Sequence, residues 1–159
     1  MIIDGKDQIL GRMASVAAKK LLEGEEVFIV NAEEVIITGN REYFFDLYKK
    51  RAQFKDIANP LRGSFFPKRS DRIVRRAIRG MLPWKKDKGR QAYKKLKVYV
   101  GVPEDLTGKE FIRLNDADIS KLRTKKYFKV KEISSFLGGR IWKLFNQLAK
   151  EKKQLLGQL

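Results

Sequence analysis

Four arginines lie on one face of a helix that the sequence predicts between Ser70 and Pro83. They are Arg72, Arg75, Arg76 and Arg79. This i, i+3, i+4, i+7 spacing keeps the side chains within an arc of about 100°, because each helical residue turns by roughly 100°. A guanidinium group stays charged and forms paired hydrogen bonds with phosphate, so the pattern predicts a surface that binds a polyanion. The alternative interpretation is a solvated basic face on an ordinary helix.

The opposite side of the same helix is apolar. Its residues are Ile73, Val74, Ala77, Ile78 and Met81. An apolar stripe behind a charged one predicts that the helix docks on a core and turns its arginines outward. Like charges on adjacent turns repel by a few tenths of a kcal/mol per pair, which favours an anionic partner that neutralises them.

The basic character extends beyond this helix. The 159 residues include 36 Lys and Arg against 19 Asp and Glu, a net charge of +17. Residues 41–100 carry 19 basic and 5 acidic groups, whereas residues 1–40 carry 4 and 7. Such a field attracts nucleic acid or an anionic membrane. The sequence has neither an apolar run of about twenty residues nor a lipidation signal, so nucleic acid is favoured and no membrane partner is expected.

The sequence contains no cysteine and no histidine. This excludes thiol nucleophiles, imidazole acid–base chemistry and the usual zinc sites. Adjacent carboxylate pairs such as Glu33/Glu34 are expected to diverge in direction and are typical of solvated surface. We therefore expect no enzyme, no cofactor, no metal and no small-molecule substrate. No secretory signal opens the chain, which favours a place in the cytoplasm.

Alternating helix and strand patterns predict an α/β fold. After a short apolar start, a helical pattern runs from Ile9 to Leu21 and is ended by Gly24. The runs VFIV (27–30) and VIIT (35–38) have strand character, and they complete a βαβ unit. With a later strand that Pro103 closes, they predict a three-layer α/β/α fold with a mainly parallel four-stranded sheet.

The remaining elements are predicted around this sheet. Asn40 is placed to cap the helix REYFFDLYKKRAQF, with Tyr43, Phe44, Leu47 and Tyr48 on its inner side. Gly80 and Pro83 are expected to end the arginine helix, and a basic loop, WKKDKGRQ, and a short helix at 92–97 should follow it.

The chain is interpreted as a single domain, with an α/β core at 1–103 that includes a basic segment at 62–97. Residues 104–159 are predicted as a surface excursion followed by two helices. The first helix is EISSFLGG and the second is amphipathic. The second helix either closes the domain's own sheet, which is favoured, or docks on another protein.

The first turn, DGKDQILGR, bears on the rival hypothesis of a nucleotide-binding enzyme. It contains only Gly5 and Gly11, which match neither glycine-rich phosphate motif. We interpret Gly11 as a site of close contact in the first helical turn, with Arg12 free to point at a phosphate.

Aromatic residues are interleaved with the basic ones. Phe65, Phe66, Trp84 and Tyr93 lie among lysines and arginines, where rings can stack on unpaired bases of a folded RNA. Burial is the usual fate of aromatic side chains and is the alternative here.

The run RIVRRAIRGMLPWKKDKGRQAYKKLKVYVGVP, residues 72–103, resembles the signature of the universal large-subunit ribosomal protein family number thirteen. The segments LGRMAS (10–15), VNAE (30–33) and ITGN (37–40) resemble the family's other landmarks. The short termini are similar to those of archaeal members. The chain lacks the histidines that many members carry on either side of the arginine helix, and residues 104–159 match less clearly.

The resemblance implies a structural constituent of the large ribosomal subunit that binds large-subunit ribosomal RNA, meets neighbouring ribosomal proteins and supports assembly. RNA contacts are implied for Arg12, Arg72, Arg75, Arg76, Arg79, Lys85, Lys86 and Arg90. The basic segment adds Arg62, Lys68, Arg69, Trp84 and Lys88 as candidates. Two other classes stay open. An RNA-modifying enzyme needs a pocket for a small-molecule donor, and a DNA-coating protein should bind duplex DNA as tightly as ribosomal RNA.

Overall fold

The computed structural model describes residues 1–54, 58–59, 61–62 and 65–139. The predicted last helix lies outside these residues. The helices and strands of the described chain are β1 (Ile2–Asp4), α1 (Leu10–Glu23), β2 (Val27–Val30), β3 (Ile36–Thr38), α2 (Arg41–Gln53), α3 (Ser70–Met81), α4 (Asp87–Lys94), β4 (Leu96–Val98), β5 (Tyr127–Lys129) and α5 (Val130–Phe136).

The predicted βαβ unit is confirmed at the start of the chain. β1 and β2 pair in parallel with Ile3 opposite Ile29, and α1 crosses between them. Gly24 ends α1 in the left-handed conformation that glycine adopts without strain (φ 98°). β4 adds to the other edge of β2, which gives a parallel sheet in the order β1-β2-β4.

The predicted fourth parallel strand belongs elsewhere. β3 pairs antiparallel with β5 in a separate two-stranded sheet, with Ile37 opposite Phe128. Asn31 adopts a left-handed conformation (φ 54°) and a single 3-10 turn follows it, so the chain leaves the parallel sheet before β3 begins. The far edge of β1 is instead extended by an isolated parallel bridge from Ile112 to Ile3. The fold is therefore α/β with a three-stranded parallel sheet and a second, antiparallel pair.

The core brings α1 and α3 together. Met13, Ala14 and Ala17 of α1 are buried, and α3 buries Val74 and Ile78. Alanines let the two helices approach closely, and α3 also contacts β4. This arrangement holds α3 against the body of the domain along one side only.

The boundaries around α3 and α4 differ from the predicted ones. Gly80 lies inside α3, which ends at Met81 and has Leu82 as its C-cap residue just before Pro83. α4 starts at Asp87, within the predicted basic loop, and the strand that follows begins at Leu96. A Cβ atom on Gly89 would lie 2.2 Å from the carbonyl oxygen of Pro83, so only glycine lets α4 begin this close to the turn.

The helix α2 is capped as predicted, and three of its four predicted inner residues are half-buried. The Asn40 side chain accepts a hydrogen bond from the Glu42 backbone N–H at 3.1 Å. Tyr43, predicted on the inner side, is 64% exposed, whereas Phe44 and Phe45 are half-buried against Phe128. α2 contacts the rest of the fold mainly through α5, so its buried stripe is narrow.

Two residues of the predicted motifs, Glu33 and Gly5, stabilise local backbone structure or allow close backbone contact. The Glu33 carboxylate accepts a hydrogen bond from the Gly101 backbone N–H at 3.0 Å, and burial raises the pKa of Glu33. A Cβ on Gly5 would lie 2.9 Å from the carbonyl oxygen of Val30, so close contact occurs there. Gly11, predicted to be the position of close contact, is exposed with open space around it.

Residues 127–136 contribute to the core, although the sequence predicts a surface excursion for part of this segment. Phe128, Val130 and Ile133 are buried. Lys129 Nζ lies 3.0 Å from Asp7 Oδ1 and also bonds to Glu34, and these partners raise the pKa of Lys129. These ion pairs connect β5, in the second half of the chain, to Asp7 and Glu34 in the first half.

Candidate nucleic-acid interface

The helix α3 separates an apolar side from a cationic side. Ile73, Val74 and Ile78 are 3%, 0% and 0% exposed and face the core. Arg72, Arg76 and Arg79 are exposed and Arg75 is half-buried. Met81, predicted on the docking side, is 45% exposed because the helix ends there, past its last buried turn.

None of these four arginines forms an ion pair with any residue that the structure describes. The acid in the first turn of the helix, Asp71, is paired with Arg69 at 3.1 Å instead. One guanidinium nitrogen of Arg76 donates a long hydrogen bond of 3.4 Å to the Phe65 carbonyl. No acid of the described residues therefore neutralises the positive charge of this face.

Three of the four guanidinium groups lie over aromatic rings. The guanidinium carbon of Arg75 is 4.6 Å from the centre of the Tyr93 ring, and that of Arg76 is 4.4 Å from the centre of Phe66. Arg79 lies 4.3 Å from the centre of Trp84. A ring under a cation limits its rotamers and attracts it, by about 0.5–1 kcal/mol at an exposed site. The aromatic residues thus position the arginines within the protein.

Trp84 and Tyr93 also contact each other. Their rings meet edge to face at 5.1 Å and 88°. Arg75 Nε is buried beside them without a hydrogen-bond partner among the described residues, which leaves a donor on the inner side of the cationic face. The sequence predicted aromatic residues near the arginines, but it did not predict which arginine would lie over which ring.

The turn after α3 and the start of α4 continue the cationic surface. Lys85, Lys86 and Lys88 are exposed and have no ion-pair partner in the part of the chain that is described. Arg90 lies 3.5 Å from Asp87 and donates to the Trp84 carbonyl at 3.4 Å. Asp87 therefore partly neutralises the charge of Arg90, and the hydrogen bond to the Trp84 carbonyl stabilises the turn between α3 and α4.

The other candidate residues are spread more widely. Arg62 and Lys68 are exposed in the segment before α3, and Arg69 is half-buried in its ion pair with Asp71. Arg12, in the first turn of α1, donates a 2.8 Å hydrogen bond to the Asp116 carbonyl. Arg12 is therefore less free than predicted, although it remains exposed.

Sequence reasoning missed a basic group on α2. Arg51 lies 5.5 Å from the centre of the Phe66 ring, the ring that Arg76 also contacts. Lys50 and Phe54 line the same groove between α2 and α3. The signal was present as the run YKKRAQF, in which an aromatic residue stands at either end of three cations.

The described residues offer no cluster of acidic side chains suited to a metal ion. None of the helices described is long and apolar enough to cross a bilayer.

Comparison with known proteins shows the family to which this chain is related. The family model for ribosomal protein L13 matches residues 1–105. The chain is 44% identical over 140 residues to large ribosomal subunit protein uL13 of Archaeoglobus fulgidus, covering 87% of this chain and 88% of that protein. It is 49% identical to uL13 of Methanocaldococcus jannaschii (87% and 98% covered) and 45% identical to uL13 of Sulfolobus acidocaldarius (87% and 93% covered). The chain belongs to the ribosomal protein L13 family.

Proposed function

We propose that this protein is a structural constituent of the large ribosomal subunit, and that it binds large-subunit ribosomal RNA through the arginine face of α3 and the basic turn that follows. The family is one of ribosomal proteins and not of enzymes, so no catalytic role is assigned. Its place is the ribosome in the cytoplasm. Its partners are ribosomal RNA and the neighbouring proteins of the subunit.

One observation carries the proposal. Four guanidinium groups stand on one helix, three of them over aromatic rings, and none forms an ion pair with a described acid. A phosphate backbone supplies the missing negative charge, and guanidinium groups that are already held in place lose little entropy when they bind it. Phosphate contacts carry no sequence information, so specificity comes from the shape of the RNA and its 2′-hydroxyl groups.

The candidate RNA contacts form two groups. Those on α3 and the turn after it form no ion pair with a described acid and are proposed as the main contacts. They are Arg72, Arg75, Arg76, Arg79, Lys85, Lys86 and Lys88. The others bind RNA at the margin of this surface, and several of them already have a partner within the protein. They are Arg12, Arg62, Lys68, Arg69 and Arg90, and Trp84, the remaining candidate, acts on binding by holding Arg79 in place.

The test is binding to purified large-subunit ribosomal RNA in a filter assay. A variant with glutamine at Arg72, Arg75, Arg76 and Arg79 should lose about 10⁴-fold or more in affinity, since each charge-assisted contact contributes about 1.5–3 kcal/mol and about 1.4 kcal/mol changes affinity tenfold. Its fold should persist, because the core contacts of α3 come from Ile73, Val74 and Ile78.

The matched control neutralises four exposed lysines outside the basic segment, Lys19, Lys109, Lys125 and Lys126. It removes the same charge and should lose far less affinity. Equal losses in the two variants would refute the assignment of the site to α3. Duplex DNA that competes as well as ribosomal RNA would favour a DNA-coating role instead.

A further inference from the structure

A surface groove of about 720 Å³ lies between α2 and α3, beside the arginine face. Its volume falls in the range of about 300–1,000 Å³ that is usual for sites that hold a small organic group. The α2 wall carries Lys50 and Arg51, and Phe54 stands at the end of that helix. The opposite wall carries Phe66 and Arg76.

The groove is cationic. Lys50, Arg51 and Arg76 form no ion pair with any described residue, and the residues that line the groove include no acid. Arg51 and Arg76 converge on the same ring, at 5.5 Å and 4.4 Å from the centre of Phe66. Two cations on one ring give the groove a net positive charge, which an anion bound there would neutralise.

The groove also contains an aromatic ring without a stacking partner. Phe54 is 71% exposed, and it has no ring or cation contact with the rest of the described chain. Phe66, by contrast, is enclosed by the two arginines and by Tyr48, whose ring meets it edge to face at 5.2 Å. An exposed aromatic ring beside cations is the arrangement with which proteins hold single-stranded nucleic acid, stacking a base and binding its phosphates.

We propose that this groove holds one unpaired nucleotide of the RNA, with its base stacked on Phe54 and its flanking phosphates bound by Lys50, Arg51 and Arg76. This inference rests on the proposed RNA-binding function and adds a second kind of contact to it. The α3 face meets the backbone of folded RNA, whereas the groove takes a base that has left the helix. Folded RNA offers such bases in loops and bulges, where they are free to stack on a protein ring.

The experiment measures how the full chain binds two RNAs, a labelled twelve-residue oligouridylate and a fully paired hairpin. Phe54→Ala should weaken binding to oligouridylate about tenfold, the loss expected from one stacking ring, and change hairpin binding less than about twofold. The matched control is Tyr43→Ala. It removes a ring that is 64% exposed on the same helix but outside the groove, and it should leave both affinities unchanged.

The charged wall is tested in the same way. Arg51→Gln should weaken oligouridylate binding about fivefold. Lys49→Gln, a neighbouring exposed cation that does not line the groove, should have less than half that effect. Photocrosslinking with 5-iodouridine in the oligonucleotide should give adducts on the peptide that contains Phe54.

Each outcome supports or overturns the inference. If the hairpin binds through the α3 arginines and Phe54→Ala has no effect on oligouridylate, the groove assignment is wrong and the proposed function stands. Crosslinks found only outside the groove, or tighter binding of a twelve-residue polyglutamate than of oligouridylate, would also overturn it. If the wild-type chain binds neither RNA, both the inference and the proposed function fail.

Discussion

Replacing Trp84 by leucine distinguishes a ring that supports Arg79 from a ring that stacks on RNA. The Arg79 guanidinium carbon lies 4.3 Å from the centre of the Trp84 ring, and Tyr93 meets that ring at 5.1 Å. A cation–π contact at an exposed site is worth about 0.5–1 kcal/mol, and about 1.4 kcal/mol changes affinity tenfold. Trp84→Leu should therefore weaken binding to large-subunit ribosomal RNA about two- to fivefold.

A double-mutant cycle shows whether Trp84 affects RNA binding through Arg79. Arg79→Gln removes a charge-assisted contact and should cost about 1.5–3 kcal/mol of binding free energy. If Trp84 acts through Arg79, adding Trp84→Leu to that variant costs nothing further, which gives a coupling of about 0.5–1 kcal/mol. Filter binding measures the affinities, and urea unfolding shows that each variant is folded. A loss above about tenfold for Trp84→Leu that adds fully to the loss from Arg79→Gln would refute this reasoning, because the ring would then contact RNA directly.

Two further predictions concern the scaffold. Gly89→Ala should lower the free energy of unfolding by about 1–3 kcal/mol, because its Cβ would meet the Pro83 carbonyl oxygen at 2.2 Å. Gly80→Ala, in open space on α3, should raise it by about 0.5–1 kcal/mol, and urea denaturation that ranks the two variants the other way contradicts the structure. Burial raises the pKa of Glu33 above its usual 4.5, so folding disfavours the charged form. As pH rises from 4.5 through the folded-state pKa, wild-type stability should therefore fall relative to Glu33→Gln, and a stability difference that stays constant between pH 4 and pH 8 would disprove this effect.

The local elements could be predicted from the sequence where a strong pattern and an end signal coincide. α1 has a regular apolar period and ends at Gly24. α2 starts after Asn40, whose side chain accepts a backbone hydrogen bond. The buried side of α3 follows from the spacing of Ile73, Val74 and Ile78. In each case the determining interactions join residues within a few positions of each other.

The pairing of β3 could not be predicted in this way. An apolar run of this kind can be buried in a parallel sheet or in an antiparallel one. The observed antiparallel pairing depends on Phe128, almost a hundred residues later in the chain. The start of α4 was missed because it requires a close approach of the Gly89 and Pro83 backbones, which no periodic pattern in the sequence indicates.

In the candidate site, too, some features follow from local sequence and others depend on tertiary contacts. The clustering of arginines on one face follows from local spacing, but the pairing of Arg75 with Tyr93 and of Arg76 with Phe66 depends on tertiary contacts. The groove beside α2 depends on two segments that meet only in the folded chain. For that reason Lys50 and Arg51 were absent from the residues predicted to bind RNA, whereas Arg76 was among them.

The central claim is that the arginine face of α3 binds the phosphate backbone of large-subunit ribosomal RNA. Its most direct test is the salt dependence of that binding. About eight phosphate contacts predict a slope of about −6 to −7 for log affinity against log salt concentration. The variant with glutamine at Arg72, Arg75, Arg76 and Arg79 should show a slope of about −3, because four of those contacts are lost. A wild-type slope near zero, or the same slope in both proteins, would contradict the claim.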